Sequence, residues 1–183
     1  MTALAFRSST DIIYTAGRDS FLFIADVRDS VSFKTKESNG YINAMTFTSD
    51  GALFADGGTN NLVKVWKTEP LNSIGWYESD LHNVLGLAFL SDEKTLIVAD
   101  GSGQVVFLKI TDPSDTTQIQ GKSIFIVGVS EMGRFKAHDG AVRGIALSSD
   151  DARLYTGGDD RTLKTWDVKA ISEYFVSQAP TQK

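Results

Sequence analysis

The chain has 183 residues, 42% of them hydrophobic and 22% charged, with 16 Gly, 3 Pro and no Cys. That composition supports a folded core, and at roughly 150 residues per domain the length suggests one domain or slightly more. A net charge of −5, the lack of cysteine and the lack of a long apolar run argue against direct nucleic-acid contact, disulfides, thiolate metal sites and a membrane span. The start, MTALAFRSST, has no basic region followed by a long apolar one, so no signal peptide is expected. Together these features lead us to expect an intracellular protein, cytoplasmic or nuclear.

Taken in chain order, four segments align without gaps: MTALAFRSSTDIIYTAGRDSFLFIADV, INAMTFTSDGALFADGGTNNLVKVWKT, VLGLAFLSDEKTLIVADGSGQVVFLKI and VRGIALSSDDARLYTGGDDRTLKTWDV. Small residues Ala3, Ala44, Gly86 and Gly144 share one column. The apolar pairs Leu4/Phe6, Met45/Phe47, Leu87/Phe89 and Ile145/Leu147 share the next. The closing positions Ala25, Trp66, Leu108 and Trp166 recur 41, 42 and 58 residues apart. Each segment alternates apolar and other residues at period two, which predicts strands. Turn formers separate the first two strands, as in Ser49-Asp50-Gly51 and Ser148-Ser149-Asp150-Asp151. A second turn, such as Gly57-Gly58-Thr59-Asn60 or Gly101-Ser102-Gly103, leads into a third strand. Fourth strands are expected at Val31–Thr35, at Ser73–Tyr77, within Ser123–Lys136 and at Ile171–Val176. No substantial helix is expected. The unit is a four-stranded antiparallel meander used four times, at about 1–37, 41–79, 83–136 and 141–177, with an insertion near 112–130 and a tail at 178–183.

A period near 40, strands only, an Asp-Gly turn and a closing Trp-Asp resemble the WD40 repeat, which builds β-propellers. The fourth repeat carries the strongest likeness: Ala137-His138-Asp139-Gly140, Thr156-Gly157-Gly158-Asp159-Asp160 and Trp166-Asp167. The second repeat keeps Trp66 followed by Lys67, the first has Ala25-Asp26, and the third has Leu108-Lys109. The resemblance implies an all-β fold of four propeller blades.

In that family a His, a hydroxyl residue, an Asp and the Trp form a hydrogen-bonded tetrad. The resemblance puts His138, Thr156, Asp160 and Trp166 in those roles. The set also looks like a hydroxyl–His–Asp hydrolase triad. However, neither an oxyanion site nor an accessible nucleophile is visible, and mutual satisfaction of buried polar groups explains it. Ser38, Asp56, Asn60 and Trp66 stand in the same columns of the second repeat, and Asp80, Val98, Ser102 and Leu108 in those of the third. These two blades are expected to be held mainly by apolar packing. His82 reads as a solvated or capping residue. The Asp pairs at 150–151 and 159–160 lack calcium-loop spacing, and Gly101-Ser102-Gly103 lacks the third glycine and the following helix of a nucleotide loop. No enzyme, cofactor or metal is expected.

WD40 proteins commonly grip peptides on the face where first strands begin and second strands end. On this chain that implies Thr2, Tyr41, Asn43, Asn83, Leu85, Ala141 and Arg143, with Arg18, Thr59, Gly101 and Asp159 on the facing turns. Tyr41, Arg18 and Arg143 carry most weight, since aromatic and Arg residues dominate interface energetics. The insertion ends in an apolar run, and Ile124, Phe125, Ile126 and Val127 are either an outer or extra strand or a docking element. The expected function is a non-enzymatic protein-interaction scaffold. A reader of a peptide or modified tail, and a regulatory module of a larger enzyme or ribonucleoprotein assembly, are the alternatives. Rings of this family usually need about seven blades. Four would therefore leave two open faces, to be closed by a homodimer with eight blades or by further blades of a longer chain.

Overall fold

The computed structural model describes residues 3–7, 10–28, 32–36, 40–78, 80–111, 116–119, 122–125 and 128–178, and only the backbone of 32–36, 116–119 and 122–125. Strands β1 (Ala3–Phe6), β2 (Ile12–Ala16), β3 (Phe21–Asp26) and β4 (Ser32–Lys36) form blade 1. Blade 2 holds β5 (Ile42–Phe47), β6 (Leu53–Gly58), β7 (Leu62–Thr68) and β8 (Leu71–Glu78). Blade 3 begins with β9 (Val84–Phe89), β10 (Thr95–Asp100) and β11 (Gln104–Ile110). A separate hairpin, β12 (Thr116–Ile119) with β13 (Lys122–Phe125), then precedes its outer strand β14 (Val129–Lys136). Blade 4 holds β15 (Val142–Leu147), β16 (Arg153–Gly158) and β17 (Leu163–Asp167), and helix α1 (Val168–Gln178) follows. The architecture is an all-β propeller of four antiparallel sheets.

The first turn is built the same way in three blades. The carboxylates of Asp50, Asp92 and Asp150 accept the N–H two residues on, from Ala52 (2.8 Å), Lys94 (2.9 Å) and Ala152 (3.1 Å). A short polar side chain that closes its own turn is the reason Asp is favoured there. Gly51, Glu93 and Asp151 then take left-handed backbone angles.

Period-two alternation gives each blade two faces, and neighbouring blades press their apolar faces together. Tyr14, Leu22, Phe54 and Trp66 fill the seam between blades 1 and 2, with the Phe54 and Trp66 rings stacked at 5.7 Å. Val63, Val65, Val84, Leu96, Val98, Val106 and Leu108 fill the seam between blades 2 and 3. Ile97, Val105, Phe107, Val142 and Leu154 fill the last seam. Inner strands β1, β5, β9 and β15 lie side by side around a concavity of about 280 Å³. Among the described residues blades 1 and 4 share no apolar cluster.

One expectation is corrected. Ile171–Val176 is part of α1, so blade 4 has three strands among the described residues. Its physical cause is a cap: Asp167 accepts the Ala170 N–H at 2.9 Å. Val168, Ile171 and Phe175 then share one helical face and pack into the blade 3–4 core. Gly133 lets this happen, because a Cβ there would run into the Phe175 ring. The apolar run of the insertion begins in an extra strand, one of the two readings expected for it. Ser123–Phe125 belongs to the extra hairpin, while the outer strand starts at Val129. Among the described residues no helix is long and apolar enough to cross a membrane.

Candidate functional site

The candidate face grows from one repeated backbone bond. Thr59 N–H donates to Tyr41 O (2.9 Å), Gly101 N–H to Asn83 O (3.0 Å) and Asp159 N–H to Ala141 O (2.9 Å). Each bond ties the turn after a second strand to the approach of the first strand of the same blade. The register then slips. Ile42 pairs with Gly58 and Ala44 with Gly57, so Asn43 is skipped. Leu85 and Arg143 are skipped in the same way in blades 3 and 4. A bulge of this kind re-aims its side chain.

At this end Arg18 Cζ lies 6.0 Å from the centroid of the Tyr41 ring, which is 47% exposed. Thr59 Oγ1 accepts the Tyr41 N–H at 2.9 Å. Asn43 Nδ2 donates across the seam to Asn83 Oδ1 at 2.7 Å and to Val84 O at 3.2 Å. Arg143 grips Asp159 through two bonds of 2.7 Å each. The Arg143 guanidinium holds the Asp159 carboxyl below the usual carboxylate range. Leu85 lines the concavity, and Ala141 is buried. Thr2, Ile126 and Val127 lie outside the described residues. Ile124 and Phe125 lie on β13, away from this end in sequence.

The polar set of blade 4 sits deeper. His138 and Thr156 are each 1% exposed. His138 Nδ1 lies 2.8 Å from Asp160 Oδ1, and Nε2 lies 2.7 Å from Thr156 Oγ1. Trp166 Nε1–H donates to Thr156 Oγ1 at 2.8 Å. A Trp only donates and a carboxylate only accepts. One relay therefore satisfies a neutral imidazole: Trp166 to Thr156, Thr156 to Nε2, and Nδ1–H to Asp160. Burial opposes charge on Asp160, yet bonds from Thr162 Oγ1, the His138 ring, Thr162 N–H and Asp139 N–H outweigh it. They hold the carboxyl well below the usual range. With Thr156 enclosed, its hydroxyl has no path to a substrate in this conformation.

Blades 2 and 3 solve the same problem differently. In blade 2 the Trp66 indole donates to the buried Asp56 carboxylate, and Lys64 Nζ lies 5.4 Å from the Trp66 ring. Asn60 Oδ1 accepts the Leu62 N–H, and Ser38 lies outside the described residues. In blade 3 Val98 and Leu108 join the apolar seam. The polar centre is Asp100, which sequence reasoning missed. It is 0% exposed and accepts from His82 N–H (3.0 Å), Ser102 N–H (3.0 Å), Ser102 Oγ (2.8 Å) and Gln104 N–H (2.9 Å). The signal was an acid directly before Gly101-Ser102-Gly103. Apolar packing alone therefore does not describe these blades. His82 itself is exposed. Among the described residues no group of three His, Cys, Asp or Glu could hold a metal ion.

The family model "WD domain, G-beta repeat" matches residues 30–67 and 129–167. The periodic tryptophan protein 2 homolog of Schizosaccharomyces pombe is 28% identical over 123 residues, covering 66% of this chain and 14% of that protein. The small ribosomal subunit protein RACK1 of the same yeast is 25% identical over 129 residues, covering 70% of this chain and 38% of that protein. A chain in the crystal structure of a mitotic checkpoint complex superposes with a TM-score of 0.77 at 23% identity, over 91% of this chain and 48% of that one, which shows the fold. The chain spans less than half the length of the curated relatives it matches.

Proposed function

We propose that this chain, built from WD40 repeats, is a non-enzymatic scaffold that holds partner proteins in a complex. One observation carries the reading: the same bulge in three blades aims Asn43, Leu85 and Arg143 at one end. There they join Arg18, Tyr41, Thr59, Asn83 and Asp159. A rigid sheet end that presents an exposed Tyr and two Arg suits protein recognition. The enclosed His138–Thr156–Asp160–Trp166 set is given a structural role, and no cofactor or metal is proposed. RACK1, a small ribosomal subunit protein by name, is a component of an assembly, in keeping with the same role here. Likeness of fold alone would not carry function.

Direct nucleic-acid contact and a membrane role are left out of the proposal, on the net charge of −5 and the lack of an apolar span. An intracellular setting, cytoplasmic or nuclear, belongs to it. So does treatment of 1–183 as one propeller region with blades at 1–37, 41–79, 83–136 and 141–177. The insertion, with Ile124, Phe125, Ile126 and Val127, is a second candidate docking element. Completion of the ring falls to a second copy or to further blades.

The test is capture of partners by the tagged chain, with mass spectrometry, beside Tyr41→Ala, Arg143→Ala and Phe125→Asp. We expect Tyr41→Ala and Arg143→Ala to keep the wild-type melting midpoint and lose partners. Equal capture by both would overturn the candidate-face reading and leave the Phe125 side to be judged by its own variant. Ester or peptide hydrolysis that Thr156→Ala abolishes without unfolding would overturn the scaffold reading itself.

A further inference from the structure

We propose that Trp76 and Glu78, on the outer strand of blade 2, form a rim platform that takes an arginine side chain of a partner protein. The site lies apart from the candidate face, and it rests on the scaffold reading only in that the partner is a protein.

Blade 2 has a blade on either side. Across its face toward blade 1, Phe47, Phe54, Trp66 and Ser73 form one row, apolar where the blades enclose it and polar where Ser73 reaches the rim. Met45, Asp56, Lys64 and Trp76 form the next row. Met45 packs into the seam and Asp56 is buried, yet Trp76 at the rim is 65% exposed. Its indole makes no hydrogen bond or ring contact among the described residues. Lys64, its cross-strand neighbour, turns inward, with Nζ 5.4 Å from the Trp66 ring. A single exposed apolar residue is ordinary, but Trp is the side chain most often found at the energetic centre of an interface.

The strand is held from its other face. Tyr77 is buried in the seam between blades 2 and 3. Arg134 Nη2 donates to the Tyr77 hydroxyl at 2.9 Å and Arg134 Nε to Glu131 Oε1 at 2.7 Å, while the Tyr77 hydroxyl also bonds Glu131. An aromatic ring, a guanidinium and a carboxylate thus close the rim of that seam. Trp76 pairs opposite Lys64 as Arg134 pairs opposite Val106, one repeat later, so Trp76 stands in the arginine's column. In blade 1 the column of Tyr77 holds Thr35, which pairs with Leu22 as Tyr77 does with Val63.

Glu78 supplies the carboxylate at this second rim. It lies two residues along β8 from Trp76, hence on the same face and about 7 Å away. It is exposed and has no ion pair among the described residues. A guanidinium laid on the indole meets the negative face of the ring, and its fork reaches the Glu78 carboxylate. A lysine would meet both only as a point charge, and an acidic side chain would be repelled. Ring and charge together make arginine the occupant.

A hexa-arginine peptide added to the full chain reads the outcome, with hexa-glutamate as its control. We expect hexa-arginine to shield the exposed indole from acrylamide quenching and hexa-glutamate to leave quenching as it was. In fluorescence anisotropy of the labelled peptide, Trp76→Ala should weaken hexa-arginine binding about fivefold and Glu78→Gln about threefold, with Trp76→Phe between wild type and Trp76→Ala. All three changes sit at exposed positions, so circular dichroism should be unchanged. Wild-type affinity in Trp76→Ala or Glu78→Gln overturns the proposal, as does an indole that hexa-arginine leaves unshielded or hexa-glutamate shields. A doubled mass in light scattering that Trp76→Ala returns to one chain would seat a second copy there and also overturn it. The peptide readout does not depend on whether Tyr41→Ala and Arg143→Ala lose partners, so the two readings fail separately.

Discussion

Blades 3 and 4 bend the same backbone around different chemistry. In blade 4 a histidine ring occupies the space beside the second turn, and Gly158 keeps that space open. A Cβ at Gly158 would lie 2.5 Å from His138 Cγ. Blade 3 has no ring there. Asp100 stands in the column of Gly158, and its carboxylate takes up the turn's donors directly. Val98 and Leu108 then replace Thr156 and Trp166, because no relay is needed behind the carboxylate. The difference teaches that the fold fixes which backbone donors must be met, not which residue meets them. A tetrad column read residue by residue misses this exchange.

The largest expected effect breaks blade 3. Asp100→Ala leaves three N–H groups and a hydroxyl without their acceptor inside an enclosed site. Unsatisfied buried groups cost about 1–3 kcal/mol each, with partial relief from water, so a loss of about 4 kcal/mol is expected in urea unfolding. His138→Ala should cost less, about 3 kcal/mol, since Asp160 reaches partial solvent and can rehydrate. A smaller loss for Asp100→Ala than for His138→Ala would invert the comparison.

Blade 4 also gives a test against acid. Asp160 is held below the ordinary carboxylate range in the fold. A depressed carboxyl stabilises the folded state fully above its unfolded value of about 3.9, and that stability is lost as pH falls toward the folded value. Urea midpoints between pH 7 and pH 3 should therefore fall less steeply in Asp160→Asn than in wild type. Asp50, Asp92, Glu131, Asp150, Asp159 and Asp167 are depressed too and contribute to the slope that remains. Parallel curves for the two proteins would remove Asp160 from the account.

Much of this fold was legible in the chain. Alternation at period two and turn formers mark fifteen strands that fall into four sheets, and in three blades the first turn is closed by its own Asp side chain. The helix was not, because Ile171–Val176 falls where the repeat calls for a strand and its apolar residues fit that frame. The telling sign was the Asp167 cap with Val168, Ile171 and Phe175 three and four residues apart. At the candidate face the columns were readable and the partners were not. The Asn43–Asn83 bond crosses a seam, and the bulges that aim Asn43 and Arg143 arise from pairing between strands. Neither is written in a single repeat.

The smallest effect sharpens the comparison at one backbone position. After the second turn blade 3 has Gly103 at φ 90°, and blade 4 has Arg161 at φ 62°. Gly103 is demanded twice over. Its backbone is left-handed, and a Cβ would collide with the carbonyls of His138 and Gly140. In blade 4 the Arg161 side chain is exposed, so a long side chain fits. What remains at Arg161 is the conformational cost alone, of order 1 kcal/mol for a residue with a Cβ in this region. Arg161→Gly removes that cost but gives the unfolded chain more freedom. The net gain should be about 0.5 kcal/mol, read as a small rise in the melting midpoint. A loss of stability instead would mean that the Arg161 side chain makes a contact worth more than its strained backbone, and that space is not the only way the two turns differ.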